Sequence, residues 1–199
     1  MKANGIFRSV TPSAKLAMVN NNIGNPALKY NQGSTSEIWD YQLVTPGTKQ
    51  VVQFFGDVNT KTSPFTNLTT NTLQVGEALS MSYIAFTRIV VKAGEITSYT
   101  ALNAVDGINL ATFNFLLDNS RIIKNNSLTR SNPLFNTQGS TAGNALFFPD
   151  TNLVIPPQIS FTAELSIPTN SDTGGVDEEI YYGCHIFGTG AILNLKSNV

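Results

Sequence analysis

The chain has 199 residues, a formal net charge of −1, 41% hydrophobic residues and 13% charged residues. That is room for one sizeable hydrophobic core, and the near-neutral charge excludes a broad basic face that would gather nucleic acid. The charged share is about half of that in an ordinary soluble domain; 22 Asn, 22 Thr and 16 Ser take its place, and these residues favour turns, loops and strands over helix interiors.

Cys184 is the lone cysteine, which rules out an intrachain disulfide and a cysteine metal cluster. The opening MKANGIFRSVTPSAK lacks the apolar core of a secretory signal, and no run of 18 uncharged apolar residues occurs; the expectation is a chain neither exported by that route nor crossing a membrane as a helix. Asn67 and Asn125 match the glycosylation pattern, which in so Asn- and Thr-rich a chain is read as chance.

Residues 1–35 read as an irregular N-terminal arm, because Asn20, Asn21, Asn22, Asn25 and Pro26 break the short apolar run from Lys15 to Val19. Residues 36–199 then form one domain. Glu37 to Thr45 alternates and carries Trp39 and Tyr41, Pro46-Gly47 supplies a turn, and Gln50 to Phe55 follows; the pattern predicts a hairpin. Tyr83 to Lys92, β-branched and aromatic, is the clearest strand of the first half and stops at Ala93-Gly94. Thr112 to Leu117, a turn at Asp118-Asn119-Ser120 and the return from Arg121 to Lys124 predict a second hairpin.

Residues 131–158 read as a long polar excursion with an apolar patch at Leu146-Phe147-Phe148, a natural place for partner contacts. Ile159, Phe161, Ala163, Leu165 and Ile167 alternate with polar residues, as a half-buried antiparallel strand requires. The segment IYYGCHIFGTGAILNL closes the chain as one long strand, or two broken near Gly188-Thr189-Gly190, where the glycines suggest a bulge. About eight strands joined by uneven loops predict an all-β, antiparallel two-sheet sandwich, a single jelly roll.

The chemistry-bearing residues are few. Cys184 and His185 are adjacent in a strand and face opposite ways, so they cannot act as a nucleophile–base pair. His185 is the sole histidine, which excludes a multi-histidine metal site and leaves any Ser-His-Asp triad dependent on that one ring. Asp172, Asp177, Glu178 and Glu179 surround Gly174-Gly175 and read as a solvated acidic turn, with calcium at a contact between subunits as the lesser alternative. Catalytic, cofactor and metal residues are therefore assigned to none. Trp39, Tyr41, Tyr83, Tyr99, Tyr181 and Tyr182 are read mainly as core or subunit contacts, and alternatively as a sugar-stacking platform.

The succession VVQFFGDVNTKTSPFTNL, LSMSYIAFTRIVV, FNFLLDNSRIIKNNSL, NPLF, IPPQISFTAELSIPT and IYYGCHIFGTGAIL resembles the run of segments in jelly-roll capsid proteins of small icosahedral bacteriophages, over residues 40–195. The resemblance implies a structural virion protein, no enzyme, that self-assembles into an icosahedral shell in the host cytoplasm and whose partners are its own copies and other capsid proteins. One departure stands out: residues 1–35 carry only Lys2, Arg8, Lys15 and Lys29 as cations, too few to neutralise much of a packaged genome. A subunit that lies over an inner membrane or inner protein layer, or a vertex or decoration protein, is compatible with so weakly basic an arm, and neither sequence-specific nucleic acid nor a small-molecule substrate is expected. The alternative is a carbohydrate-binding or adhesin β-sandwich module of a phage fibre; a small β-sandwich enzyme using the acidic loop is a weaker third.

Overall fold

The computed structural model describes residues 32–74, 77–102, 110–128, 145–149, 151, 153–170 and 172–192. In chain order its strands are β1 (Gln32–Leu43), β2 (Gln50–Phe54), β3 (Glu77–Lys92), β4 (Glu95–Ala101), β5 (Thr112–Leu117), β6 (Ser120–Ser127), β7 (Ala145–Phe147), β8 (Val154–Ile155), β9 (Phe161–Ile167) and β10 (Glu178–Ile192). One sheet runs β1-β10-β3-β4, with β7 and β8 also on β3; the other runs β2-β9-β5-β6. All these pairings are antiparallel.

The pairs are nested in sequence. β1 lies on β10, β2 on β9, β3 on β7 and β8, and β5 on β6, so the chain is one long folded ribbon with its tip at the β5–β6 turn. Wound about itself, that ribbon joins β10 to β3 in one sheet and β9 to β5 in the other, which is the jelly-roll winding. β7 and β8 share one ribbon position, giving the eight expected places; β4 is an extra strand on the same edge of β3, beside Thr87–Lys92, while β7 and β8 occupy the stretch nearer Leu79–Phe86.

Local chemistry explains the turns. Leu117 pairs with Ser120 across Asp118 (φ 44°) and Asn119 (φ 62°), and both residue types tolerate the left-handed region that a tight two-residue hairpin needs. Lys92 pairs with Glu95 across Ala93 (φ 51°) and Gly94 (φ 85°), so the punctuation at Ala93-Gly94 is a hairpin turn into β4, a strand that the sequence pattern does not announce.

The predicted hairpin between Glu37–Thr45 and Gln50–Phe55 does not form. β1 and β2 belong to different sheets, and the Pro46-Gly47 segment is a corner between them, held by Gly47 N–H on the Asn170 carbonyl (2.7 Å) and Val44 N–H on the Ile180 carbonyl (3.0 Å). Strand, short turn, strand reads identically for a hairpin and for a sheet-to-sheet corner; the choice lies with β10 and β9, which out-compete a β1–β2 ladder. β1 begins at Gln32, inside the stretch assigned to the arm; residues 1–31, and 131–144 of the expected excursion, lie outside the described residues.

Alternation then builds the core. In β9 Phe161, Ala163, Leu165 and Ile167 are all buried as expected, whereas Ile159 lies before the strand and is exposed. They meet Phe54, Phe86, Phe113, Phe115, Ile84, Ile186 and Tyr182 in one cluster between the sheets, with Phe86 5.0 Å from Phe113 and Phe55 5.3 Å from Phe161 between ring centroids. β10 is one continuous strand whose register shifts between Phe187 and Gly188, the bulge the glycines suggest. A Cβ at Gly188 would collide with the Ser80 carbonyl oxygen, so only glycine lets β10 pass β3 that closely.

Candidate functional site

The outward face of the β1-β10-β3 sheet collects the polar and aromatic residues. Period-two alternation sends Ile38, Asp40, Cys184 and Ile186 to the core side and Glu37, Trp39, Tyr41, His185 and Phe187 to the other. Cys184 and His185 thus do face opposite ways: the thiol is fully buried in the core and burial pushes its pKa up, while the imidazole packs on the outer face.

His185 is the hub of that face. Its Nδ1 lies 2.7 Å from Glu37 Oε1, its Nε2 lies 3.0 Å from the Tyr41 hydroxyl and 3.1 Å from Thr87 Oγ1, and Thr87 donates to Tyr41 at 3.4 Å. A carboxylate facing Nδ1 fixes the tautomer: Nδ1–H donates to Glu37 and Nε2 accepts from a hydroxyl. Burial lowers the His185 pKa, against the opposing pull of Glu37, and burial pushes Tyr41 up to about 12. Both groups are therefore neutral at pH 7. Gly183 makes the arrangement possible, since a Cβ there would strike the Tyr41 ring and Thr87 Oγ1.

An acid, an imidazole and a hydroxyl in line is the order of a nucleophilic triad, and sequence spacing gave no sign of it, because Glu37, Thr87 and His185 come from three strands. Thr87 is only 6% exposed and shares the ring nitrogen with Tyr41, so its oxygen is packed beneath the sheet surface. What the geometry does directly is lock the register of β1, β10 and β3 through buried hydrogen bonds.

Aromatic rings continue from this hub. Trp39, His185, Phe187 and Tyr83 follow one another with centroids 6.5, 6.1 and 4.6 Å apart and planes within 22° of parallel, and Phe148 adds a fifth ring 5.6 Å from Tyr83. Phe65 lies 4.7 Å from Tyr181 on the same face. Of the six residues read as a platform, Tyr182 is the exception: it points inward and is fully buried. Tyr41 is buried too, and the Trp39 indole N–H donates to the Pro64 carbonyl (3.0 Å). Tyr99 remains the most open, 61% exposed on β4.

The acidic turn divides. Asp172 is not solvated: Arg88 Nε and Nη2 donate to its two oxygens at 2.6 and 2.7 Å, the Tyr182 hydroxyl donates at 3.1 Å, and the pair is nearly dry. The hydrogen bonds to Asp172 raise the Arg88 pKa further, and burial raises that of Tyr182. Asp177, Glu178 and Glu179 stay at the surface, with Glu178 accepting from Gly175 N–H (2.7 Å) and Glu179 from the Tyr181 hydroxyl (2.8 Å). Among the described residues no group of three or more His, Cys, Asp or Glu is placed to hold a metal ion.

A second polar centre escaped the sequence reading. Asp40, fully buried on the inward side of β1, accepts from Lys61 Nζ (2.8 Å), Phe55 N–H (2.8 Å) and Gln42 Nε2 (3.0 Å), and Lys61 also pairs with Asp57 (2.8 Å). Burial raises the Asp40 pKa despite these donors. Its bond to Phe55 holds that residue at φ 66°, a costly conformation for a bulky side chain. The sequence signal for it is weak: Asp40 is one of two acids in β1 and stands at a core-side position between Ile38 and Gln42.

No protein-family model matches the chain, and no curated protein matches it in sequence.

Proposed function

We propose that this chain is a structural virion protein, a jelly-roll capsid subunit that assembles with its own copies and other capsid proteins into an icosahedral shell. A fold by itself leaves function open; the observation that carries the reading is the surface this sandwich presents. Leu43, Val51, Ile96, Tyr99, Leu110, Ile122 and Val176 are large apolar side chains left in solvent, on a chain with 13% charged residues. Weak charge lets copies approach, and exposed apolar groups reward contact. Asn, Ser and Thr loops hydrogen-bond a neighbour at lower desolvation cost than ionic groups would. In this reading the chain takes no small-molecule substrate and no sequence-specific nucleic acid, it works in the virion, and an inner membrane or protein layer lies beneath it. Light scattering behind size exclusion, with negative-stain imaging, tests it: closed particles or stable trimers or pentamers are expected, and a protein that stays monomeric at every concentration refutes it.

The near-parallel ladder Trp39, His185, Phe187, Tyr83 favours a second reading, a carbohydrate-binding or adhesin module of a phage fibre. It ranks lower because Tyr182 and Tyr41 are buried and the Trp39 N–H is already used. A monomer that binds on a glycan array, and loses binding with Tyr83→Ala, would favour it over the shell.

A further inference from the structure

A sheet edge offers unpaired N–H and C=O groups, and proteins that stay apart guard their edges with charge, shortness or a covering loop. Three edges here are guarded. On β1, Tyr41 N–H donates to the Phe65 carbonyl (2.8 Å), while Asn67 accepts from Trp39 N–H (3.0 Å) and donates to the Glu37 carbonyl (2.8 Å), so the loop through residues 64–67 lies along the strand. β2 is five residues long, and β6 carries Arg121 and Lys124.

β4 is different. Its sequence is EITSYTA, with one charge, at the first position, and no proline. Among the described residues only β3 pairs with it, and every one of its residues is exposed or half-exposed. The β3–β4 register shifts between Val90 and Val91. That irregularity has a definite effect on the side chains. Ile96 and Tyr99 are three apart and would point to opposite faces of a regular strand, yet Ile96 sits opposite Val91 and Tyr99 opposite Ile89, and Val91 and Ile89 share a face. Ile96 (48% exposed) and Tyr99 (61% exposed) therefore stand together on the outer side, continuing the row Ile89, Tyr181, Leu43 across the sheet.

We propose that β4 is a pairing edge for β4 of a second copy, antiparallel about a two-fold axis between Thr97 and Ser98, so that Ile96 of each copy lies opposite Tyr99 of the other. The register follows from self-complementarity: only this centre opposes the two exposed apolar residues twice, making two β-branched–aromatic cross-strand pairs. It also sets Glu95 against Thr100 and keeps the two Glu95 side chains at opposite ends, whereas a parallel pairing would bring these like charges side by side. The inference rests on the shell reading for its choice of a sister chain as occupant, and it names the contact that reading leaves open.

Cysteine pairing tests the register, since Cys184 is buried and does not compete. Thr97→Cys protein mixed with Ser98→Cys protein should give a mixed disulfide dimer in at least about tenfold excess over either homodimer, because directly opposed residues meet the distance a disulfide needs. Ile96→Lys/Tyr99→Lys, placing lysines opposite one another, should weaken association at least about tenfold, with circular dichroism reporting the retained fold. Particles that form normally while no mixed disulfide appears overturn the contact and leave the shell reading standing. A β4-linked dimer that never grows supports the contact and removes the shell reading. A wild-type chain monomeric throughout overturns both.

Discussion

Asp172→Ala tests the dry clamp most directly. Arg88 and Asp172 side chains are 13% and 4% exposed, and Arg88 donates two short bonds to a carboxylate that also receives the Tyr182 hydroxyl. Removing the carboxylate leaves Tyr182 a partner in Asn170 Oδ1 (3.0 Å), so the loss falls on the guanidinium, stranded between β3 and the β9–β10 loop. Breaking one side of a buried pair costs about 3–5 kcal/mol, a large part of the roughly 5–15 kcal/mol that holds a domain together. At about 2–4 °C per kcal/mol for a chain of this size, Tm should drop by roughly 6–20 °C. Arg88→Met/Asp172→Leu, which removes both charges, should lose less than Asp172→Ala alone, and the loss for Asp172→Ala should barely change between low and high salt. Thermal melts read the Tm, and urea titration followed by fluorescence of the single tryptophan, Trp39, reads the free-energy losses and their salt dependence. A cost below about 1 kcal/mol that shrinks in salt is the signature of an exposed pair, and would return Asp172 to a solvated acidic turn.

The remaining predictions concern the outer face and the core. His185 is held neutral by burial, with its folded pKa below the unfolded 6.5; its contribution is full above that value and is lost as pH falls through the folded one, so the Tm advantage of wild type over His185→Gln should narrow on going from about pH 7.5 to about pH 5. A gap that widens with acid contradicts the assignment. Gly188→Ala should destabilise by about 3 kcal/mol because the new Cβ meets backbone at Ser80, and Gly183→Ala by less, about 1–3 kcal/mol, because it meets the side chains of Tyr41 and Thr87; the reverse order in chemical denaturation would refute the packing. Cys184, fully buried with its thiol pKa raised, should react with a thiol reagent at the rate of unfolding, and rapid labelling of the native protein would contradict that burial.

Read from the sequence, the clearest elements are those whose partners are close along the chain or whose pattern is complete within one segment. The β5–β6 hairpin is written in Asp118-Asn119, and β9 in the strict alternation from Phe161 to Ile167. The opposed faces of Cys184 and His185 follow from strand geometry, and the glycines at 188 and 190 point to the bulge. β4 is not legible in the sequence because Ile96 and Tyr99 break the period of two, and the cause of that break is a register shift against β3.

Sequence alone determined that this chain is a low-charge, all-β sandwich, because composition, turn residues and period-two alternation are local properties that each strand carries with it. Only the tertiary structure decided that β1 and β2 part company, that Asp172 is clamped by Arg88, and that Glu37, Tyr41, Thr87 and His185 meet at one point. Those outcomes depend on which distant strands win a ladder, and the free energy of that competition is set by the packing of the whole ribbon, where no short stretch of residues can reveal it.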